Sequence, residues 1–272
     1  MHGTSSALHA SRCSACKNGI AEPLPFSMAF QPVVDTSSQT VFAYEALVRG
    51  LNHESAASLF SRLNPDDYHV FDQACRLKAI IMAANLGVPA TGASLAVNFM
   101  PGAVYSPWAC LRQTLRVAHE NNFPLSQLMF EVTESEEVRD PAHMERVIAE
   151  YRSQGFAIGL DDFGAGFASL NLFSELTLDF VKLDARLVRG IHRRPRTEAI
   201  VLALVALCRS LNVRLIAECV ESFEEYERLR QCGIDLMQGY LFARPMFEQL
   251  PTITWPTSHV PLGKIRTLAL VA

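Results

Sequence analysis

The chain has 272 residues, of which 49% are hydrophobic and 19% charged, and a formal net charge of −4. Such a chain is globular and large enough for one barrel-sized domain or two small ones, and its acidic balance argues against sequence-specific duplex binding. Its seven cysteines (Cys13, Cys16, Cys75, Cys110, Cys208, Cys219 and Cys232) are odd in number and scattered, which suits a reducing compartment better than a disulfide framework.

In chain order, residues 1–25 are small and polar, without periodicity or a long apolar stretch, and are expected to form a mobile extension rather than a secretion signal. Ser27–Val34 and Val41–Val48 read as strands. The short polar link 35–40 can join only antiparallel neighbours, because a parallel crossover needs a dozen or more residues. Asn64-Pro65-Asp66-Asp67 is a helix start; Phe71, Cys75, Ala79, Met82 and Leu86 then recur at helical spacing as a core stripe, and Gly87 stops the helix. Strands follow at Ser94–Asn98, Leu128–Val132, Phe156–Asp161, Phe180–Leu183, Arg214–Glu218 and Asp235–Gln238. They alternate with helices near 106–121, 141–154, 168–176, 195–211 and 222–232. Eight strands in this order predict an α/β fold, a closed (β/α)8 TIM-like barrel with one antiparallel strand, over residues 26–247. Residues 248–272, with Pro251, Pro256 and Pro261, are expected to form an appendage packed on the barrel. The longest clear apolar run, Val201 to Cys208, is far short of a membrane span, so a soluble, cytoplasmic protein is expected.

Chemistry in a parallel barrel sits where the strands end. Strand two carries Glu45, with Arg49 four residues on; strand three ends at Asn98, and strand four at Glu131 with Glu134 after it. Strand five ends at Asp161-Asp162, strand six at Lys182, strand seven at Glu218 with Glu221 after it, and strand eight at Gln238-Gly239. One strand-end acid is ordinarily a solvated loop residue, and Asp161 alone would read as a helix cap. Seven coincident polar ends are hard to explain that way. Glu45, Asn98, Glu131, Asp161 and Asp162 offer only oxygen, which selects Mg²⁺ or Mn²⁺ over zinc. So many acids suit two ions with one Asp between them, the standard arrangement for in-line attack on a phosphodiester.

These residues carry a resemblance to the EAL-domain cyclic-di-GMP phosphodiesterases. The naming motif stands as Glu45-Ala46-Leu47 within Tyr44-Glu45-Ala46-Leu47-Val48-Arg49, after Phe30-Gln31-Pro32-Val33-Val34-Asp35. Val97-Asn98, Glu131-Val132-Thr133-Glu134, Asp161-Asp162-Phe163-Gly164-Ala165-Gly166, Lys182-Leu183-Asp184, Ala217-Glu218-Cys219-Val220-Glu221 and Gln238-Gly239-Tyr240-Leu241-Phe242 follow in family order, so the resemblance covers about 26–247. It implies hydrolysis of cyclic di-GMP to linear pGpG with two Mg²⁺ or Mn²⁺ ions. Glu45, Asn98, Glu131 and Asp161 would ligate the first ion, and Asp161 and Asp162 the second. Lys182 would hold the attacking water and Glu218 would act as general base. Gln31, Leu47, Arg49, Gln238 and Pro245 would meet the substrate. Glu134 would brace loop 161–169, next to which a homodimer contact is expected.

Two departures from the family pattern stand out. Cys219 occupies a position where the family usually has Gly, which matters if that backbone needs φ > 0. The loop reads Gly166-Phe167-Ala168-Ser169 where hydroxyl-bearing residues are common. Neither removes a metal ligand, which favours an active enzyme over a silent cyclic-di-GMP receptor or a protein-binding scaffold. Other motifs carry less. Cys13-Ser14-Ala15-Cys16, even with His2 and His9, lacks the second pair a zinc site needs. Gly164-Ala165-Gly166 lacks the third Gly of a dinucleotide fingerprint, and Asp162-Phe163-Gly164 echoes a kinase triplet without its partners. Arg193-Arg194-Pro195-Arg196 reads as the solvated start of a helix.

Overall fold

The computed structural model describes residues 24–64, 67–100, 107–133, 141–165 and 169–256. Strands β1 (Phe26–Asp35) and β2 (Thr40–Gly50) pair antiparallel with Gln31 opposite Glu45, as their short connection requires. From β2 onward the sheet is parallel through β3 (Ser94–Phe99), β4 (Leu128–Thr133), β5 (Ala157–Phe163), β6 (Phe180–Leu183), β7 (Arg214–Ala217) and β8 (Leu236–Met237). It then closes on β1, the antiparallel member of the eight-stranded barrel. A ninth strand, β9 (Met246–Phe247), was not foreseen from the sequence. It lies beside the first half of β1 because β8 pairs with β1 only at Val34↔Met237 and Asp35↔Leu236. Gln31 spans the gap left in that seam: its side-chain nitrogen donates to the Ala243 carbonyl at 3.1 Å.

The helices are α1 (Ala56–Phe60), α2 (Tyr68–Asn85), α3 (Val88–Thr91), α4 (Pro107–Glu120), α5 (Pro141–Ser153), α6 (Ser169–Glu175), α7 (Ala185–Val188), α8 (Pro195–Ser210) and α9 (Phe223–Gln231). The short α1, α3 and α7 carry too few residues for a periodic pattern to reveal them. α9 opens with a capping box in which Ser222 and Glu225 satisfy each other's backbone N–H groups. In α2 the expected stripe is shifted. Phe71 and Ala79 are buried, but Cys75 and Met82 are only half-buried, and Asp72, Gln73 and Arg76 lie on the buried face. Burial there follows the packing of α2 across β3 and α4, which a one-residue rotation of the apolar pattern does not reveal.

Two apolar cores result. Side chains facing outward from the strands merge with the helices into one large core, to which Leu250, Ile253 and Trp255 of the C-terminal stretch add their side chains. Inside the barrel, Val33, Ala43, Ala96, Met129, Phe180 and Ile216 form a separate plug. Gly159 is required beside it, because a Cβ there would lie 2.2 Å from the Phe180 ring. No helix among the described residues is long and apolar enough to cross a membrane. Cys75, Cys208, Cys219 and Cys232 are free thiols. Cys13 and Cys16 lie outside the described residues.

Candidate active site

Successive side chains of a strand alternate between faces, so residues two apart share one. Glu45 follows Ala43, Asn98 follows Ala96, Glu131 follows Met129, Lys182 follows Phe180 and Glu218 follows Ile216 at that interval. The inward faces that build the plug therefore deliver a polar layer just above it. At its centre is Lys182, fully buried. Its ammonium meets Glu218 Oε1 at 2.6 Å, Glu131 Oε2 at 3.0 Å, Glu45 Oε2 at 3.2 Å and Asp161 Oδ1 at 3.2 Å. These four acids come from or just beyond four different strands. Glu45 also accepts from the Gln238 amide at 2.8 Å and the Asn98 amide at 3.3 Å.

Adjacent residues of a regular strand cannot both face one site. Asp161 and Asp162 do so because β5 is irregular there: its pairing with β6 breaks between Leu160 and Phe163, and Asp162 takes a left-handed conformation with φ of 56°. The Asp162 N–H donates back to Asp161 Oδ1 at 2.9 Å, and Phe163 then returns to the outer core. A second reversal follows β7. Cys219 stands at φ 55°, the conformation whose need for Gly its position had suggested. After it, Val220 buries its side chain in the outer core, and its N–H donates to the Gln238 carbonyl at 3.0 Å. Gly239 makes that approach possible, since a Cβ on it would lie 2.0 Å from the Val220 carbonyl oxygen.

The crowding of charge moves the titrations. Burial, reinforced by the other acids and opposed by Lys182, pushes Glu131 and Glu218 well above the carboxylate range. Burial and then the charges of Asp161 and Asp184 push Asp162 up. Burial works against the charged form of Lys182, yet the acids around it win and raise it well above its ordinary value. Glu45 is held low despite its burial, by Lys182 and by the hydrogen bonds from Gln238, Lys182 and Asn98.

Two groups of carboxylates bring ligand oxygens within 4.8 Å of one another, Glu45 with Glu131 and Asp161, and Asp161 with Asp162 and Glu218. Asp161 belongs to both. The side chains fit a pair of hard cations on two further grounds. Glu131 Oε1 is buried without a hydrogen-bond partner, and the two groups hold five carboxylates against one ammonium that reaches four of them, so that with all the acids ionised an excess of four negative charges is left for two divalent ions to neutralise. Glu218, expected from the resemblance as a base alone, also lies within reach of the second group.

The other expected residues fall into two sets. Leu47 and Arg49 line a cavity of about 480 Å³ together with Asn98, Met100, Asp72 and Arg76, and Arg49 donates to its neighbour's carbonyl at Val48. Gln238 points into the acid layer, whereas Gln31 is engaged at the β1–β8 seam and Pro245 is half-buried just before β9. Glu134 and residues 166–168 of the loop after β5 lie outside the described residues. Asp72 and Arg76 were not foreseen. The signal for them was an acid–base pair at i,i+4 spacing on the apolar side of a helix.

The sequence matches the family described as EAL domain over residues 21–245. A stand-alone EAL protein of Vibrio cholerae, solved with c-di-GMP bound, superposes with a TM-score of 0.82 at 44% identity, over 86% of this chain and 98% of that one. BlrP1 of Klebsiella pneumoniae, in its pH 9.0 manganese and cyclic-di-GMP complex, gives 0.81 at 31% identity, over 88% of this chain and 60% of that one. The cyclic di-GMP phosphodiesterase RocR of Pseudomonas aeruginosa is 37% identical over 166 residues, 61% of this chain and 41% of its own length. The chain spans 56% or less of the length of the first curated relatives it matches. The chain belongs to the EAL domain family.

Proposed function

We propose, with membership of the EAL family as the premise, that this protein hydrolyses cyclic di-GMP to linear pGpG at the polar end of its barrel, using two Mg²⁺ or Mn²⁺ ions. The observation that carries this reading is the pair of carboxylate groups with Asp161 in common. Glu45, Asn98, Glu131 and Asp161 would hold one ion, and Asp161 and Asp162 the other. When bound, the ions supply an acidified water and neutralise charge on the phosphoryl group. The protein's own groups do the rest. Glu218, 2.6 Å from the Lys182 ammonium and beside Asp161 and Asp162, takes the proton of the attacking water. The water oxygen bonds to phosphorus as one P–O ester bond breaks; the leaving ribose oxygen keeps the electron pair, takes up a proton from solvent as a free hydroxyl, and the ring opens. Lys182 holds the acids in place and orients the water. Arg49 and Leu47 receive the substrate at the cavity beside Asn98, and Gln238 keeps Glu45 turned inward.

Incubating the pure protein with cyclic di-GMP and Mn²⁺ or Mg²⁺, with an EDTA control, tests the reading by chromatography. Metal-dependent appearance of pGpG is expected. Tight binding of cyclic di-GMP without pGpG would instead make this a silent receptor.

A further inference from the structure

Behind β3 and β4, in the layer between barrel and helices, lies an ion pair that borders the cavity lined by Leu47 and Arg49 but has no role in the chemical steps above. Arg76 of α2 is 2% exposed and Asp72 8%. Arg76 Nη2 donates to Asp72 Oδ2 at 2.5 Å, and Nη1 donates to the Tyr151 hydroxyl of α5 at 3.0 Å. The guanidinium lies 5.1 Å from the Phe99 ring centroid and 5.5 Å from that of Phe130. These two rings are the outward neighbours of Asn98 and Glu131, which face inward one residue away and sit opposite each other in the β3–β4 pairing. The Asp72 carboxylate also accepts the backbone N–H of Met100, the second residue after Asn98. Asn98 in turn donates to Glu45.

A buried ion pair is a poor means of stabilisation, because apolar residues of equal volume often serve as well or better. Its value here is geometric. Arg76 grips β3 and β4 through their outward rings, and Asp72 ties down the chain where β3 ends. We infer that Asp72 and Arg76 are positioning residues for Asn98 and Glu131, holding from behind the two strands that deliver them to the metal-binding face. The inference rests on the two-ion reading of the site. Partners that orient ligands typically change metal affinity 10- to 100-fold when removed.

The test pairs Asp72→Leu with Arg76→Met in the 272-residue chain, which removes both charges at similar volume. Mn²⁺ affinity, measured by calorimetry without substrate, is expected to fall about tenfold. Amide exchange at Met100 should quicken. Leu229→Ala, a cavity on the distant α9, should weaken the fold but leave both readouts as in the wild type. If the double variant does not fold, Asp72→Asn replaces it: the side-chain oxygen still accepts from Met100, so Mn²⁺ affinity and Met100 exchange should stay near wild type, while Asp72→Ala shifts both. Unchanged Mn²⁺ affinity with unchanged Met100 exchange in the double variant or in Asp72→Ala overturns the inference, as does an equal loss in Leu229→Ala. A wild-type protein that binds no Mn²⁺ defeats the two-ion reading instead, and Met100 exchange with the Asn98 side-chain amide resonances then decides the positioning role alone.

Discussion

The lower and upper halves of the barrel interior come from the same strands and the same faces, two residues apart, yet they obey opposite rules. Below, Val33, Ala43, Ala96, Met129, Phe180 and Ile216 fill the space as any core does. Above, Glu45, Glu131, Asp161 and Glu218 converge on Lys182, with an unpaired buried oxygen on Glu131. Removing carboxylates from water and crowding them costs stability that one ammonium only partly offsets. The lower layer holds the fold, and the upper layer holds a cation-ready arrangement against its own repulsion. The difference places stability and chemistry on separate storeys of one barrel, and each can be perturbed without the other.

The sharpest separation is expected from Glu218→Gln. As the proposed base, Glu218 contributes about 10³-fold to turnover, so pGpG formation should drop by that order while cyclic di-GMP binding persists. The metal-free variant should melt no lower than the wild type, since one of the mutually repelling acids has gone. A variant with undiminished rate removes Glu218 from the chemistry. Phe180→Ala is the converse. It should cost about 3–5 kcal/mol of stability by emptying the plug, seen as a lower denaturation midpoint, with Mn²⁺ affinity little changed. A collapse of Mn²⁺ affinity at retained fold would show that the two layers are not separable.

Acidity gives a third, smaller effect. Glu131 and Glu218 have folded pKa values above the ordinary 4.5. For such acids the folded state binds protons more tightly than the unfolded one. Their stability contribution is therefore fully present below pH 4.5 and is lost as pH rises through the raised values. Lys182, also raised, keeps its contribution until the solution is more alkaline than its ordinary 10.5. In the metal-free protein, these two acids should thus make urea midpoints fall as pH rises above 4.5. Mn²⁺ should remove the slope, and binding it should release protons detectable in weakly buffered solution. A slope unaltered by Glu131→Gln would assign it elsewhere. The smallest effect is expected at Cys219. A left-handed backbone costs a residue with a Cβ about 1–2 kcal/mol, and Gly returns part of that gain as unfolded-chain entropy. Cys219→Gly should therefore stabilise by about 1 kcal/mol or less, visible as a modest rise in melting temperature.

Much of the site was legible because its residues lie at strand ends in a chain that alternates strand and helix. Glu45, Asn98, Glu131, Asp161, Lys182 and Glu218 could be picked out by position alone, and the antiparallel start followed from a short turn. Asp161-Asp162 was visible as a pair, but the bulge that turns both acids to one face was not. A bulge is a mismatch between two strands, and neither strand records it. The hydrogen bond from Gln31 to the Ala243 carbonyl across the split seam at β1 was not legible either. β9 and the shifted face of α2 escaped for a related reason: two residues and a one-position rotation leave no periodic trace.

By itself, the amino-acid sequence determined which groups exist and in what order, and through period-2 alternation it determined which of them share a strand face with the plug. It determined also that the candidate metal-binding side chains offer only oxygen. Only the tertiary structure decided that four acids from separate strands would meet a single ammonium, that Asp161 would stand in both carboxylate groups, and that Arg76 would lie against the rings behind Asn98 and Glu131. Those facts depend on strand register and barrel closure across more than a hundred residues of chain. Local propensity carries no information about distances that closure alone sets.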